Sequence, residues 1–548
     1  MGTTDSRMMS LDAIFREIEG EHTGILTRIE NASLTDLGSL TTPQFHLGDT
    51  PPNPIAIGEG ISYGAMSGKL FKDYGVARKH VRSGGTVILY FDDLAAVSTE
   101  RYKEIRNLGS RVGIITRRVS WGSHAAILLG KQGIPIVRID GLIHNGLTKA
   151  FSINGTKIDS EEISIDGRTG KVYAGTFTIL PPVLGSEVKP TEPDNVANYR
   201  EILSAGDIIL SSAGVRVMVN ADDISSIEAA RKWGVNDVSL VRTERVMSEN
   251  RVRSSFAWYL NEITKEPRID TASFEARTDF VTELKDYLRK LFEIQKNHFL
   301  QIRLLDAPLH EIISADDFNK SFRVNPALEE LIEEKRSPRG ADYVRWKPEI
   351  YDAQIEAIFS AAKAANYGSD PIRISIPFVR DIDQVRQVDQ ILRLTKAREE
   401  YKSLNYVLAV TIETAPVCHP EVLSKLVTEL NVLDFAFGTN DLIPSLNSSG
   451  NRDSFQTCYV MVGPEPRLVE GVIYYIRDAI SAIRLAGKNL SLNTNIGICG
   501  EINDFNFSRE NLGQFVTRAN YFAVGRNPPM TKLLLAKTLI QEYRKNKQ

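Results

Sequence analysis

The sequence predicts an α/β protein in which a small β/α domain precedes a (β/α)8 barrel. Three observations carry that expectation. From about Asn195 to Gln548, short β-rich runs recur with helical stretches between them, which argues for parallel strands joined by crossover helices. Charged and polar residues gather just after those runs, where a barrel of this kind builds its active-site face. Between Ile55 and about Pro182 the pattern is different: short strands alternate with glycine-rich turns around a strand–loop–helix unit at Arg111–Val137.

With 548 residues the chain is long enough for more than one domain. A net charge of −3 and a pI near 6.3 speak against nucleic acid or a polybasic membrane contact as partners. No apolar run approaches the ~18 residues of a membrane span. The polar start Met1–Ser10 is not a signal peptide. Cys418, Cys458 and Cys499 form no C-x-x-C pair, so neither a disulfide framework nor a structural zinc site is expected. A cytoplasmic, soluble protein is the expectation.

Taken in order, residues 1–54 mix an amphipathic segment (Leu11–Ile29) with a proline-bearing connector ending at Pro54. Residues 55–182 form the first domain. Ser83–Asp93 reads as a turn feeding a strand, and Ile163–Gly175 as a hairpin with Gly167 and Gly170 in its turn. Within Arg111–Val137, a buried strand (Val112–Thr116) leads through a loop to Ser123-His124 at the start of a helix over Ala125–Lys131, with a second strand at Ile134–Val137. A histidine at a helix start lies where unpaired N–H groups favour an anion, so His124 either carries a phosphoryl group or simply caps the helix. Prolines 181, 182, 190 and 193 mark a linker over 183–200.

Residues 201–548 supply the barrel. The expected staves are Val215–Val219, Val238–Val241, Leu300–Leu304, Ile372–Ile376, Val407–Ile412, Leu433–Phe437, Ile496–Cys499 and Tyr521–Val524. A ninth run near Arg339–Val344 competes with them. Arg242, Arg303 and Arg452 offer forked cations suited to phosphate and carboxylate, although each type also serves in surface ion pairs, Arg452 most readily. Glu413 and Asp441 are hard oxygen donors that suit Mg2+ beside a phosphate. Cys499 is either an inert buried thiol or, at a barrel mouth, a proton donor.

These segments resemble the phosphoenolpyruvate-utilising enzyme family. The histidine loop is similar to the family's T-x-x-G-G-x-T-S-H-A-A at Thr116, Ser123, His124, Ala125, Ala126 and Gly133, with Val119 and Ser120 replacing the two glycines and Gly122 the threonine. Gly58–Phe71 resembles the opening of the family's swivelling domain, and the hairpin its close. Val241–Glu244, Ile412-Glu413, Gly438–Leu442 (GTNDL) and Ile498–Glu501 (ICGE) match the barrel signatures. Arg303–Glu311 (RLLDAPLHE), Asn325–Leu328 and Pro348–Phe359 are similar to the pyruvate phosphate dikinase branch. Where that branch has R-G-C-R, Arg339–Asp342 loses an arginine, and Arg345 is the nearby substitute.

The resemblance implies a phosphotransferase that moves phosphate between phosphoenolpyruvate or pyruvate and His124 on a swivelling domain. It implies that Arg242, Arg303 and Arg452 bind the phosphoryl group, Asn440 contacts substrate, Glu413 and Asp441 hold Mg2+, and Cys499 protonates the enolate. It further implies a homodimer through the barrel. Too few residues precede the connector for an ATP-grasp domain, so a separate ATP-grasp subunit or phosphoacceptor is expected as partner. An Enzyme I-like donor to a carrier protein and a non-catalytic phosphoenolpyruvate sensor are the rival readings.

Overall fold

The computed structural model of the chain describes residues 12–547 apart from 21–23, 49–50, 95, 98, 120–125, 127–128, 131, 147–149, 159, 185–192, 248, 266–269, 314–324, 369, 447–458, 463–464, 469, 501–508 and 526. It divides into two compact units, one built from Met8–Ser212 and Gly525–Gln548, the other from Ala213–Gly450 and Val460–Val524.

The first unit contains an eight-stranded sheet. Its centre is four parallel strands, Ala65–Phe71, Val87–Asp93, Val112–Arg118 and Ile136–Arg138. Such strands are apolar on both faces because both faces are covered. Val87 and Leu89 pack with Val112, Ile114 and the helical residues Ala77 and Val81, whereas Ile88 and Tyr90 pack on the opposite side with Ile115, Val137 and Ile163. The predicted hairpin is Glu162–Asp166 paired antiparallel with Lys171–Ala174. Asp166 closes its turn by accepting from the backbone N–H groups of Arg168 (2.9 Å) and Thr169 (3.2 Å). Gly170 is required there: φ is +70°, and a Cβ would lie 2.1 Å from the Gly58 carbonyl oxygen.

The same unit holds helices far apart in sequence. Asp194–Ser212 packs on Pro528–Lys547, which also meets Ile25–Asn31 and Leu34–Thr41. Polar ties join them, among them Lys532 to Asp207 (2.9 Å), Arg28 to Glu201 (2.7 Å) and Asn527 Nδ2 to Thr41 Oγ1 (3.0 Å).

The second unit is a closed barrel of eight parallel strands. They are β1 (Arg216–Asn220), β2 (Val238–Arg242), β3 (Leu300–Arg303), β4 (Ile372–Ile376), β5 (Tyr406–Ile412), β6 (Asp434–Gly438), β7 (Asn495–Cys499) and β8 (Tyr521–Val524). β8 pairs with β1 to close the ring. All eight expected staves are present within a residue or two. The ninth run is not a strand. Gly340–Asp342 is a 3-10 turn and Tyr343–Trp346 a short helix, because Gly340 adopts φ +54°, a left-handed conformation that extended chain cannot carry.

Side chains alternate along each stave, so every second residue faces the lumen. Met218, Phe299, Ala436, Cys499, Tyr521 and Ala523 pack together there. One end of the lumen is tied by Arg373 to Asp434 (3.1 Å), with the Arg373 guanidinium 4.3 Å from the Phe299 ring centre. Phe299, Arg373, Asp434 and Tyr521, at or beside the starts of β3, β4, β6 and β8, thus close one end of the lumen, and polar residues gather at the strand ends.

Candidate active site

Arg303 ends β3 and organises the mouth. Its side chain is buried and touches three carboxylates: Glu244 at 2.5 Å, Asp306 at 3.2 Å and Glu413 at 3.3 Å. Burial works against the charged guanidinium, but the three acids more than offset it and raise its pKa above the ordinary arginine value. Arg303 is therefore a permanent cation held in place by anions.

Glu413 directly follows β5, and its carboxylate is shared between two donors. Arg303 Nη1 reaches Oε1, and the Phe378 backbone N–H reaches Oε2 at 3.0 Å. The side chain lies over bare backbone at Gly438, where a Cβ would come within 2.6 Å of Glu413 Cγ. Burial, then the charge of Asp306, against the pull of Arg303, pushes the Glu413 carboxyl up to about 7. Asp441, in the first turn of the helix Thr439–Leu446 after β6, adds to that push and pairs with Arg339 at 3.3 Å. Arg339 also grips Asp306 at 3.2 Å.

β6 and β7 run side by side, with Gly438 opposite Cys499. Thr439 Oγ1 donates to the Cys499 carbonyl at 2.7 Å. Gly500 has φ +108°, and a Cβ there would strike Thr439 Oγ1 at 2.4 Å and Asn440 Oδ1 at 2.8 Å. The Cys-Gly pair thus lets Asn440 sit against the strand end. Burial, with the nearby Glu413 charge, pushes the Cys499 thiol up to about 12, so it stays protonated at neutral pH.

Arg303, Glu413, Asp441, Asn440 and Cys499 therefore meet at the carboxyl ends of β3, β5, β6 and β7. Arg242 is part-buried at the end of β2, where its Nε meets Asp222 at 3.1 Å and its backbone N–H the same carboxylate at 2.9 Å. It feels the charges of Glu244 and Arg303. His124 and Arg452 lie outside the described residues. Arg345, the expected substitute arginine, is half exposed and pairs with Asp381 at 2.8 Å, while Arg339 is the arginine at the mouth.

Asp306, Glu244 and Arg339 had no assigned role in the sequence, although Glu244 and Asp306 each stand within three residues of a strand end. Arg339 opens the segment that is similar to R-G-C-R, but it follows no barrel strand, and its place at the mouth comes from the turn at Gly340. Among the described residues no group of three or more metal-ligating side chains occurs. Glu413 and Asp441, which follow the neighbouring strands β5 and β6 and repel each other, are two hard donors, which suits a divalent ion that takes its remaining ligands from water and a bound phosphate.

A family model described as "PEP-utilising enzyme, PEP-binding domain" matches residues 197–527. Pyruvate, phosphate dikinase of Rhizobium meliloti is 26% identical over 531 residues, covering 91% of this chain and 55% of its own length. The chloroplastic pyruvate, phosphate dikinase of Mesembryanthemum crystallinum is 27% identical, with 87% and 50% covered. That of Rickettsia prowazekii is 26% identical, with 73% and 46% covered. The chain spans about half the length of these curated relatives. Among solved structures, a Haloferax volcanii malate synthase matches at 10% identity and a TM-score of 0.28, covering 49% of this chain and 60% of its own, too loosely to argue from.

Proposed function

The chain belongs to the PEP-utilising enzymes, and from that premise we propose that it transfers a phosphoryl group between phosphoenolpyruvate or pyruvate and His124. The observation that carries this reading is the mouth of the barrel: a buried Arg303 among three carboxylates, with a protonated Cys499 thiol beside Glu413. Arg303, Arg242 and Arg452 bind the phosphoryl and carboxylate oxygens of the substrate, and Asn440 orients it. A Mg2+ ion held by Glu413 and Asp441 would supply positive charge to the phosphoryl oxygens. His124 attacks phosphorus in line, and the P–O bond to the enol oxygen breaks. Cys499 then gives its proton to the methylene carbon of the enolate, producing pyruvate, and in the reverse direction its thiolate takes that proton back.

In this reading residues 55–182 are the swivelling carrier, and the closed barrel from Arg216 to Val524 binds the substrate and pairs as a homodimer. One histidine visiting two sites needs a second site. An ATP-grasp segment, an ATP-grasp partner subunit or another phosphoacceptor supplies it.

The test is incubation with 32P-labelled phosphoenolpyruvate and Mg2+. Acid-labile, base-stable label that disappears in His124→Ala is expected. Binding of phosphoenolpyruvate without any label would sink the transfer reading and favour a sensor.

A further inference from the structure

Phe378 follows Pro377 at the carboxyl end of β4, and its backbone is unusual. Its φ is +47°, in the left-handed region that bulky residues rarely enter. The other described non-glycine residues with positive φ are five asparagines, a lysine and a serine, so Phe378 alone carries a large apolar side chain there. Such conformations persist only where the surroundings over-determine them, and they gather at functional sites.

Both halves of this residue point at the mouth. Its backbone N–H donates to Glu413 Oε2 at 3.0 Å, completing the grip that Arg303 has on Oε1. Its ring carries the Arg339 guanidinium, whose central carbon lies 4.1 Å from the ring centre. Arg380 approaches at 5.3 Å and is tied to Asp342 at 3.0 Å. A cation over an aromatic face is attracted by the ring quadrupole and loses lateral freedom.

The turn beneath is built to this shape. The Ala341 N–H donates to the Pro377 carbonyl at 3.0 Å, and the Gly340 N–H to that of Asp306 at 2.9 Å. Gly340 must be glycine: any Cβ would lie 2.4 Å from Phe378 Cβ. Arg339 is thereby delivered onto the ring with its nitrogens on Asp306 and Asp441.

We infer that Phe378 is a positioning residue: its left-handed backbone aims the Glu413 carboxylate, and its ring holds Arg339 between Asp306 and Asp441 so that both groups face the bound substrate. This rests on the phosphoryl-transfer reading above for what the substrate is. It does not rest on that reading for the placement of Arg339.

The test compares the wild type with Phe378→Leu, Phe378→Gly and Phe378→Tyr, by crystal structure, thermal melting and calorimetric titration with phosphoenolpyruvate and Mg2+. Phe378→Leu is expected to release Arg339 from Asp441 and weaken phosphoenolpyruvate binding about tenfold, the loss expected of a partly desolvated cation–π contact. Phe378→Gly, freed of backbone strain, melts no lower than Phe378→Leu yet binds equally weakly. Phe378→Tyr, which keeps a ring face, restores wild-type affinity. Unchanged affinity in Phe378→Leu, with Arg339 still bridging Asp306 and Asp441, would overturn the inference. Should the wild type bind no phosphoenolpyruvate, the functional reading fails, and the position of Arg339 in the variant structures alone decides the role of Phe378.

Discussion

At the level of single residues, Glu413 sets how the barrel responds to pH. Its carboxyl titrates near 7 in the folded chain, against an ordinary value of 4.5. Between those values the folded state binds more protons than the unfolded one, so stability falls as pH rises. The contribution is fully present below about pH 4.5 and is lost as pH passes through about 7. In EDTA, the melting temperature is expected to drop from pH 5 to pH 8, and Glu413→Gln to flatten that drop. Added Mg2+ should recover the loss at pH 8 in the wild type only. Arg303 makes the converse case. Replacing it with Met takes the guanidinium from Glu244 and Glu413 and leaves Asp306 to Arg339 alone, and a broken buried ion network costs about 3–5 kcal/mol. Urea unfolding should show that loss, whereas Arg303→Lys keeps the charge and most of the stability but not the forked geometry, and binds phosphoenolpyruvate more weakly. Cys499→Ala should slow exchange of pyruvate methyl protons with solvent by about a hundredfold or more, the usual scale for losing a positioned acid. His124 labelling should persist in that variant.

At the level of the strand, the lumen of the barrel depends on small residues at defined heights. Gly497 on β7 lies opposite Tyr521 on β8, whose ring fills the space a side chain would need. A Cβ at 497 would lie 2.0 Å from Tyr521 Cζ. The ring is fully buried within the closed ring of strands. Gly497→Ala is therefore expected to cost about 3 kcal/mol, the upper end for overpacking a well-filled core, seen as a lowered urea midpoint. Gly497→Ala combined with Tyr521→Leu should regain most of it. Gly438 is a different case, because its neighbour is the Glu413 side chain, so Gly438→Ala should impair phosphoenolpyruvate binding more than it impairs stability.

At the level of the whole molecule, the barrel mouth and the sheet preceding His124 belong to separate compact units. In the proposed reaction, binding of the small substrate and acceptance of the phosphoryl group would accordingly be separable. His124→Ala should bind phosphoenolpyruvate within about threefold of the wild type by calorimetry while losing all 32P label. A large loss of affinity in that variant would mean that the histidine contributes to the substrate pocket itself.

The staves of the barrel were legible because each is a short β-rich run bounded by helix, a signal that is local in the chain. The polar residues after Val241, Ile302, Ile412, Phe437 and Ile498 were legible for the same reason, since strand ends are visible in sequence and a barrel gathers them. The place of Arg339 at the mouth was not, because it follows no barrel strand, and only the left-handed Gly340 reveals the turn that delivers it there. Nor could sequence show that Phe378 is strained, or that Arg303 faces three carboxylates from three different segments. The residue pattern thus announced a barrel with a polar mouth, and the resemblance of its motifs supplied the expectation of phosphate chemistry. The burial that lifts Glu413 to about 7 and Cys499 to about 12, and the stacking of Arg339 on Phe378, exist only once distant strand ends are brought within hydrogen-bonding distance. Charge interactions depend on separation and burial, and the closure of the barrel decides both.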